Sequence, residues 1–152
     1  MPHDHADNHP NNHPGIRIED TREAINAEQK LELLSAFELR NKHPQLIEIV
    51  TEEFSAVCPG TGLPDIGRLV IEYIPDQLCV ELKALKYYLF SYREDGIFQE
   101  PVTDLIFDHL HRTLEPRYLK VTMTYNTRGG FDTTVYAERG DRSVLNPTKQ
   151  LD

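Results

Sequence analysis

Basic residues are scarce in this chain of 152 residues: 16 Lys and Arg stand against 25 Asp and Glu, a formal net charge of −9. That balance argues against a nucleic-acid backbone as main partner, because phosphate neutralisation needs a basic face. A small anionic cofactor needs only a few local Lys or Arg and stays open. Long apolar runs are lacking too: none approaches the ~18 residues of a membrane span. The N-terminus has no basic-then-apolar signal pattern, so the expected address is the cytoplasm. Cysteine is limited to Cys58 and Cys79, which stay free thiols in a reducing compartment. No Cys/His set suited to a metal is apparent, and the Gly-x-Gly-x-x-Gly dinucleotide fingerprint is absent. Hydrophobic content of 39% and a mean hydropathy of −0.51 describe a soluble globular chain, long enough for one proper core.

Residues 1–15 carry His3, His5, His9 and His13 among Asn, Asp and Pro without apolar periodicity, which reads as a disordered tail. Metal binding by those imidazoles is the alternative, but nothing in the segment holds them in a defined geometry. Residues 16–44 read as an N-terminal extension, in which Thr21 is placed to cap a helix over 22–34 with Ala24, Leu31 and Leu34 on its apolar side. The remaining residues, 45–152, form the main domain. Its first strand covers 45–57, rich in β-branched residues, and its second covers 68–74, bounded by Gly67 and Pro75. Between them, Pro59, Gly60, Gly62, Pro64 and Gly67 exclude regular structure.

Helical spacing follows. Leu82, Leu85, Leu89 and Tyr92 make one stripe over 81–93, and Cys79 stands at the entry of that helix. A second helix has Glu100 at its cap and Pro101 in its first turn. It carries Val102, Leu105, Ile106, Leu110 and Leu114 inward until Pro116 stops it. Strict alternation of Leu119, Val121, Met123 and Tyr125 against polar neighbours marks a half-buried antiparallel strand. The turn 127–130 then leads into a last strand over 131–137. The order ββααββ gives an α+β domain with two helices on one face of an antiparallel sheet.

Three features could carry chemistry. Cys58 opens the turn Cys-Pro-Gly-Thr-Gly-Leu-Pro-Asp, which ends in Asp65. A thiolate on a loop is a nucleophile once its pKa is lowered from ~8.5 or a base is supplied, whereas a buried strand-end Cys is only a small hydrophobe. Asp65 could carry the proton, or could simply bond its own turn. Lys83 and Lys86 share a helix face with Tyr87 and Phe90 alongside. Two ammonium groups there could hold phosphates or could be an ordinary solvated surface. Arg128, before Gly129 and Gly130, is a weaker candidate for the same anion, and also fits a plain hairpin turn.

The stretch Cys-Pro-x-Thr-Gly-x-Pro-Asp and the motif Glu-Leu-Lys-Ala-Leu-Lys-Tyr-Tyr at 81–88 together resemble the 7-cyano-7-deazaguanine reductases. These are the nicotinamide-dependent nitrile reductases of queuosine biosynthesis, and the resemblance runs from about Phe54 to Tyr136. It implies the tunnelling fold, in which small sheets join around a ring into a barrel, and hence a homo-oligomeric ring or stacked rings. It also implies NADPH as cofactor, Cys58 as nucleophile and Asp65 as proton donor. Substrate contacts would come from Val80, Glu81, Leu82, Gln99 and Glu100, and cofactor contacts from Lys83, Lys86 and Arg128. Glu100 would accept from the ring N–H and amine of a guanine-like base, a pairing one carboxylate can make. The family usually has His where this chain has Gln99, which removes any role that needs an imidazole to titrate.

The resulting expectation is a metal-free reductase that converts a ring nitrile to an aminomethyl group with two NADPH, through a Cys58 thioimide. Its partners are a small 7-deazapurine and copies of itself, not nucleic acid or membrane. Its nearest rival shares the thioimide but lets ammonia or an amine attack it, giving an amidine; Lys83 and Lys86 speak against that branch. A metal-dependent cyclohydrolase lacks its ligands here. A purine-binding ring protein without catalysis would leave Cys58 and Asp65 unexplained.

Overall fold

Asn26 starts the first helix of the computed structural model, which describes residues 25–145. The expected Thr21 cap, Ala24 and the His-rich segment 1–15 lie outside the described residues. Helix α1 runs Ala27–Leu33, and its start is fixed by a capping box. Asn26 Oδ1 accepts from the Gln29 N–H at 2.9 Å, and Gln29 Oε1 accepts from the Asn26 N–H at 2.9 Å.

The main sheet has the order β2-β3-β5-β6 and is antiparallel throughout: β2 is Ile47–Val57, β3 Pro64–Ile74, β5 Tyr118–Tyr125 and β6 Thr134–Gly140. Helices α2 (Leu82–Phe90) and α3 (Gln99–Leu114) lie between its two hairpins in sequence. The expected α+β pattern of two hairpins and two helices is therefore present. Val102, Ile106, Leu110 and Leu114 of α3, with Leu85 and Tyr88 of α2, share one core cluster with Leu69, Ile71, Tyr73, Leu119, Val121 and Met123 of the sheet. Both helices thus cover the same sheet face.

Four expectations need correction. Strand β3 begins at Pro64, not at Arg68, so Asp65 stands in a strand rather than in a turn. Pro64 lacks an N–H, but at the first residue of a strand that loss interrupts little of the ladder. Strand β6 begins at Thr134 rather than at 131. The tight turn does exist: Arg128 and Phe131 exchange both backbone hydrogen bonds, at 3.1 and 2.9 Å, across Gly129 and Gly130 with φ of 55° and 80°. Asp132, which accepts from the Thr127 hydroxyl, then delays regular pairing. Cys79 lies in a strand: β4, Leu78–Val80, pairs with β1, Ala36–Glu38, in a separate two-stranded sheet. Strands of three residues leave no periodic signal to read. Finally, α3 is capped by Phe98 without a side-chain hydrogen bond, so Glu100 sits inside the first turn.

One irregularity decides which way Cys58 faces. The β2–β3 register is continuous from Ile47↔Tyr73 to Thr51↔Leu69 and from Phe54↔Gly67 to Val57↔Pro64, with a shift between Thr51 and Phe54. This bulge places one extra residue in β2 and so inverts its inside–outside alternation. Before it, Ile47, Ile49 and Thr51 face the same way as Leu69 and Tyr73. After it, Phe54 and Ala56 take that face, and Cys58 follows them.

The N-terminal segment is fastened by a buried lysine. Lys30, 2% exposed, places its ammonium 2.8 Å from Asp95 Oδ2, donates to Ser91 O at 2.6 Å and lies 4.5 Å from the Tyr92 ring centre. Beside it, Tyr88 Oη bridges Tyr92 Oη at 2.8 Å and His109 Nδ1 at 2.9 Å. Among the described residues no helix is long and apolar enough to cross a membrane.

Candidate active site

Cys58 follows the last residue of β2, and its backbone closes the hairpin: its N–H donates to Leu63 O and its C=O accepts from Gly62 N, each at 2.9 Å. A second segment holds the same corner, since the Val57 N–H donates to Asp95 O at 2.8 Å and the Ile97 N–H donates to Val57 O at 3.1 Å. Cys58 is buried, 7% exposed as a residue. Hydrogen bonds from the Thr61 side chain and N–H, then from the Arg128 guanidinium and the Gly60 N–H, lower its pKa to about 7. These donors reach a thiolate and so favour the charged form. Among the described residues both cysteines are free.

Asp65 faces Ala56 across the hairpin, on the face that the bulge turns toward Cys58. It is 3% exposed. Its Oδ1 lies 2.5 Å from Arg128 Nη2, whereas its Oδ2 is buried with no hydrogen-bond partner. Arg128 therefore bridges the thiol and the carboxyl, drawn in from the turn between β5 and β6. The sequence suggested Arg128 for a cofactor; here its guanidinium is engaged at Cys58 and Asp65.

Tyr125, not singled out from the sequence, completes the cluster. Its cross-strand partner is Gly67, and a Cβ there would stand 2.7 Å from Tyr125 Cδ1 and 3.0 Å from Thr124 O. The bare glycine lets the phenol ring lie on the β3 backbone next to Asp65, with Phe54 stacked at 6.3 Å. Its hydroxyl is buried and unpartnered. Burial, then the charge of Asp65, holds the phenol well above its usual range, with Glu100 adding to the effect and Arg128 opposing it.

Glu100 is exposed in the first turn of α3, close enough for its charge to act on Tyr125. Gln99 is buried, and its Nε2 donates to Met123 O at 2.8 Å and to Thr133 O at 2.9 Å. Both amide protons thus tie α3 to the sheet, leaving only the carbonyl oxygen for another group. Glu81 caps α2, accepting from Lys83 N at 2.9 Å and Ala84 N at 2.7 Å. The Val80 side chain is in the core, and its N–H donates to Tyr73 Oη at 3.1 Å. Leu82 is 63% exposed.

A groove of about 610 Å³ runs between the β2–β3 hairpin and α2, of the size small-molecule sites take. Ile49, Ile71, Leu85 and Leu89 form its apolar floor, while Lys86 and Arg93 supply positive charge at its rim and Leu82 and Phe90 line it. Arg93, overlooked in the sequence, lies 4.3 Å from the Phe90 ring centre. Lys83 is exposed on α2 outside that lining. Cys58 and Asp65 are not in the groove, although Ser55 and Pro64, their hairpin neighbours, are. No group of three or more His, Cys, Asp or Glu residues suited to a metal ion occurs among the described residues.

A family model described as QueF-like protein matches residues 64–144. The NADPH-dependent 7-cyano-7-deazaguanine reductase of Chlorobium chlorochromatii (strain CaD3) is 50% identical over 109 residues, covering 70% of this chain and 92% of that protein. The protein of the same name from Thermomicrobium roseum is 52% identical over 103 residues, covering 68% and 80%. Among solved structures, the apo form of the archaeosine synthase QueF-Like superposes with a TM-score of 0.60 at 30% identity, covering 66% of this chain and 98% of that one. The family match takes in the Arg128–Asp65 pair, the α2 motif and the start of α3, and on it and these relatives the chain belongs to the QueF-like family.

Proposed function

We propose that this protein reduces the nitrile of 7-cyano-7-deazaguanine to an aminomethyl group with NADPH, the reaction that names its relatives. The observation that carries the reading is the agreement between that name and the site: a Cys thiol lowered to about 7 shares the Arg128 guanidinium with a buried carboxyl that has one oxygen unpaired.

A nitrile carbon is a poor hydride acceptor, and a thiolate changes that. Asp65 takes the Cys58 thiol proton, Sγ adds to the nitrile carbon, one carbon–nitrogen π pair moves to nitrogen, and Asp65 returns the proton there to make the thioimide N–H. NADPH supplies hydride to that carbon when bound. The tetrahedral product expels the Cys58 thiolate as an imine, and a second hydride and proton give the amine. The sum is one nitrile, two NADPH and two protons to one aminomethyl group and two NADP⁺. For the cofactor, Lys86 and Arg93 would meet its phosphates over the apolar floor of the groove, with Lys83 further along α2. Glu100, exposed and near Tyr125, is the acceptor for the base's N–H and amine. Glu81, Leu82, the backbone at Val80 and the Gln99 carbonyl complete the substrate contacts. In this reading Arg128 serves the thiol and carboxyl.

Among the described residues β2 and β6 are the unpaired edges of the main sheet; with exposed Val50, Ile66 and Tyr136 they support a ring-forming homo-oligomer of the tunnelling type. The solved archaeosine synthase QueF-Like is 30% identical where the two reductases are 50% and 52% identical, which favours nitrile reduction over the amidine-forming alternative.

Weighing the protein after mixing with 7-cyano-7-deazaguanine tests the reading. An adduct is expected, lost in Cys58→Ala and kept in Cys79→Ala, and NADPH oxidation follows on addition. Adduct formation without NADPH oxidation, but with consumption of ammonia, would favour the amidine. Asp65→Asn should impair turnover far more than substrate binding.

A further inference from the structure

Two buried polar atoms of the site have no hydrogen-bond partner among the described residues: Asp65 Oδ2 and Tyr125 Oη. They share a neighbourhood, because Asp65 and Gly67 point to one face of β3 and Tyr125 pairs with Gly67 on that same face. Asp65 and Arg128 both act electrostatically on the phenol. The position of the ring is imposed on both sides. Gly67 is the only residue type that admits it against the β3 backbone, since a Cβ would meet Cδ1 at 2.7 Å, and Phe54 stacks at 6.3 Å with 18° between the planes. A buried hydroxyl held this firmly and left without a partner is costly unless something visits it.

We propose that Tyr125 is a further catalytic residue, whose hydroxyl donates a hydrogen bond to the nitrogen of the substrate's nitrile-derived group while Asp65 serves the same nitrogen. The inference rests on the reductase reading above. Its logic is complementarity. One unpaired atom is a carboxylate acceptor and the other is a hydroxyl able to donate. A thioimide nitrogen carries one N–H and one lone pair, so the N–H can go to Asp65 Oδ2 and the lone pair can accept from Tyr125. The phenol stays protonated throughout. The proton on nitrogen comes from Asp65, the π electrons come from the former triple bond, and Tyr125 gives up nothing. Its contribution grows as hydride addition moves a second electron pair onto nitrogen, which is where a fixed donor lowers a barrier.

Tyr125→Phe removes one oxygen, a buried hydroxyl that costs stability while unpartnered, and keeps the ring over Gly67 and against Phe54, so its melting temperature should equal or exceed the parent's. The Cys58 adduct should still form, the Michaelis constant for NADPH should stay the same, and single-turnover hydride transfer should slow by about a hundredfold. Gly67→Ala, which displaces the ring, should show the same kinetic signature if it folds. Hydride transfer equal to the parent's in Tyr125→Phe would overturn the proposal, as would a raised NADPH constant with unchanged turnover. A parent protein that forms no adduct and oxidises no NADPH sinks the reductase reading itself. An active parent with an equally active Tyr125→Phe sinks this inference alone.

Discussion

Arg128 Nη2 stands 2.5 Å from Asp65 Oδ1, and the same guanidinium hydrogen-bonds the Cys58 thiol. One cation from the β5–β6 turn therefore joins two groups of the β2–β3 hairpin, and the third antiparallel strand is what brings it there. The consequence is a thiol poised near neutrality before any substrate arrives. Because Thr61 contributes most and Arg128 adds to it, the two act as separate supports for the same charge.

Alkylation of Cys58 should therefore rise with pH through about 7. The thiolate is the reactive form, and both supports stabilise it, so removing either raises the pKa. Thr61→Val should move the midpoint up furthest and Arg128→Met by less, both toward the ordinary ~8.5. A midpoint unmoved in both variants would mean that neither group reaches the sulfur in solution.

The groove predicts a difference within the basic residues of α2 and its end. Lys86→Ala and Arg93→Ala should raise the Michaelis constant for NADPH, while Lys83→Ala should raise it less. A charged hydrogen bond contributes ~1.5–3 kcal/mol, so the larger effects should be roughly tenfold or more. Steady-state titration of NADPH decides it; equal, unchanged constants in all three would place the cofactor elsewhere.

Gln99 and Glu100 should separate into stability and recognition. Gln99→Ala removes the donor shared by Met123 O and Thr133 O, so it should lower stability by ~1–3 kcal/mol in denaturant titration. Glu100→Gln, at an exposed position, should melt like the parent and bind the base more weakly, because its amide turns a donor toward a donor. The opposite pattern, with Gln99→Ala stable and Glu100→Gln unstable, would reverse the assignments.

Lys30→Met should be the most damaging change outside the site. It leaves Asp95, whose Oδ1 is already unpartnered, without its cation, and breaking a buried ion pair costs ~3–5 kcal/mol. Adding Asp95→Asn should recover part of the loss. Because Asp95 O receives the Val57 N–H next to Cys58, the single variant should also slow Cys58 alkylation. Full stability in Lys30→Met would show that the pair is dispensable.

Helix α3 and strand β5 were legible from local pattern, because each presents one apolar face at its own period. The Cys58 turn and the α2 motif were legible as chemistry, since their residue types sit close together in sequence. The weaker elements were not. Strand β3 starts among Pro64 and Gly67, residues read as breakers, and strands β1 and β4 have three residues each. Their structure comes from partners far along the chain.

Residue order alone specified the groups and their local frames: a thiol in a tight hairpin, a carboxyl seven residues on, two lysines on one helix face, and an antiparallel α+β pattern. Long-range packing selected which of them meet. The β2 bulge turned Cys58 to the face of Asp65, Gly67 admitted the Tyr125 ring beside that carboxyl, and the third strand carried Arg128 to both the thiol and the carboxyl. These choices depend on strand register and on space at a single Cβ, which link residues on different strands, such as Asp65 with Arg128 and Gly67 with Tyr125, and leave no periodic trace in the chain.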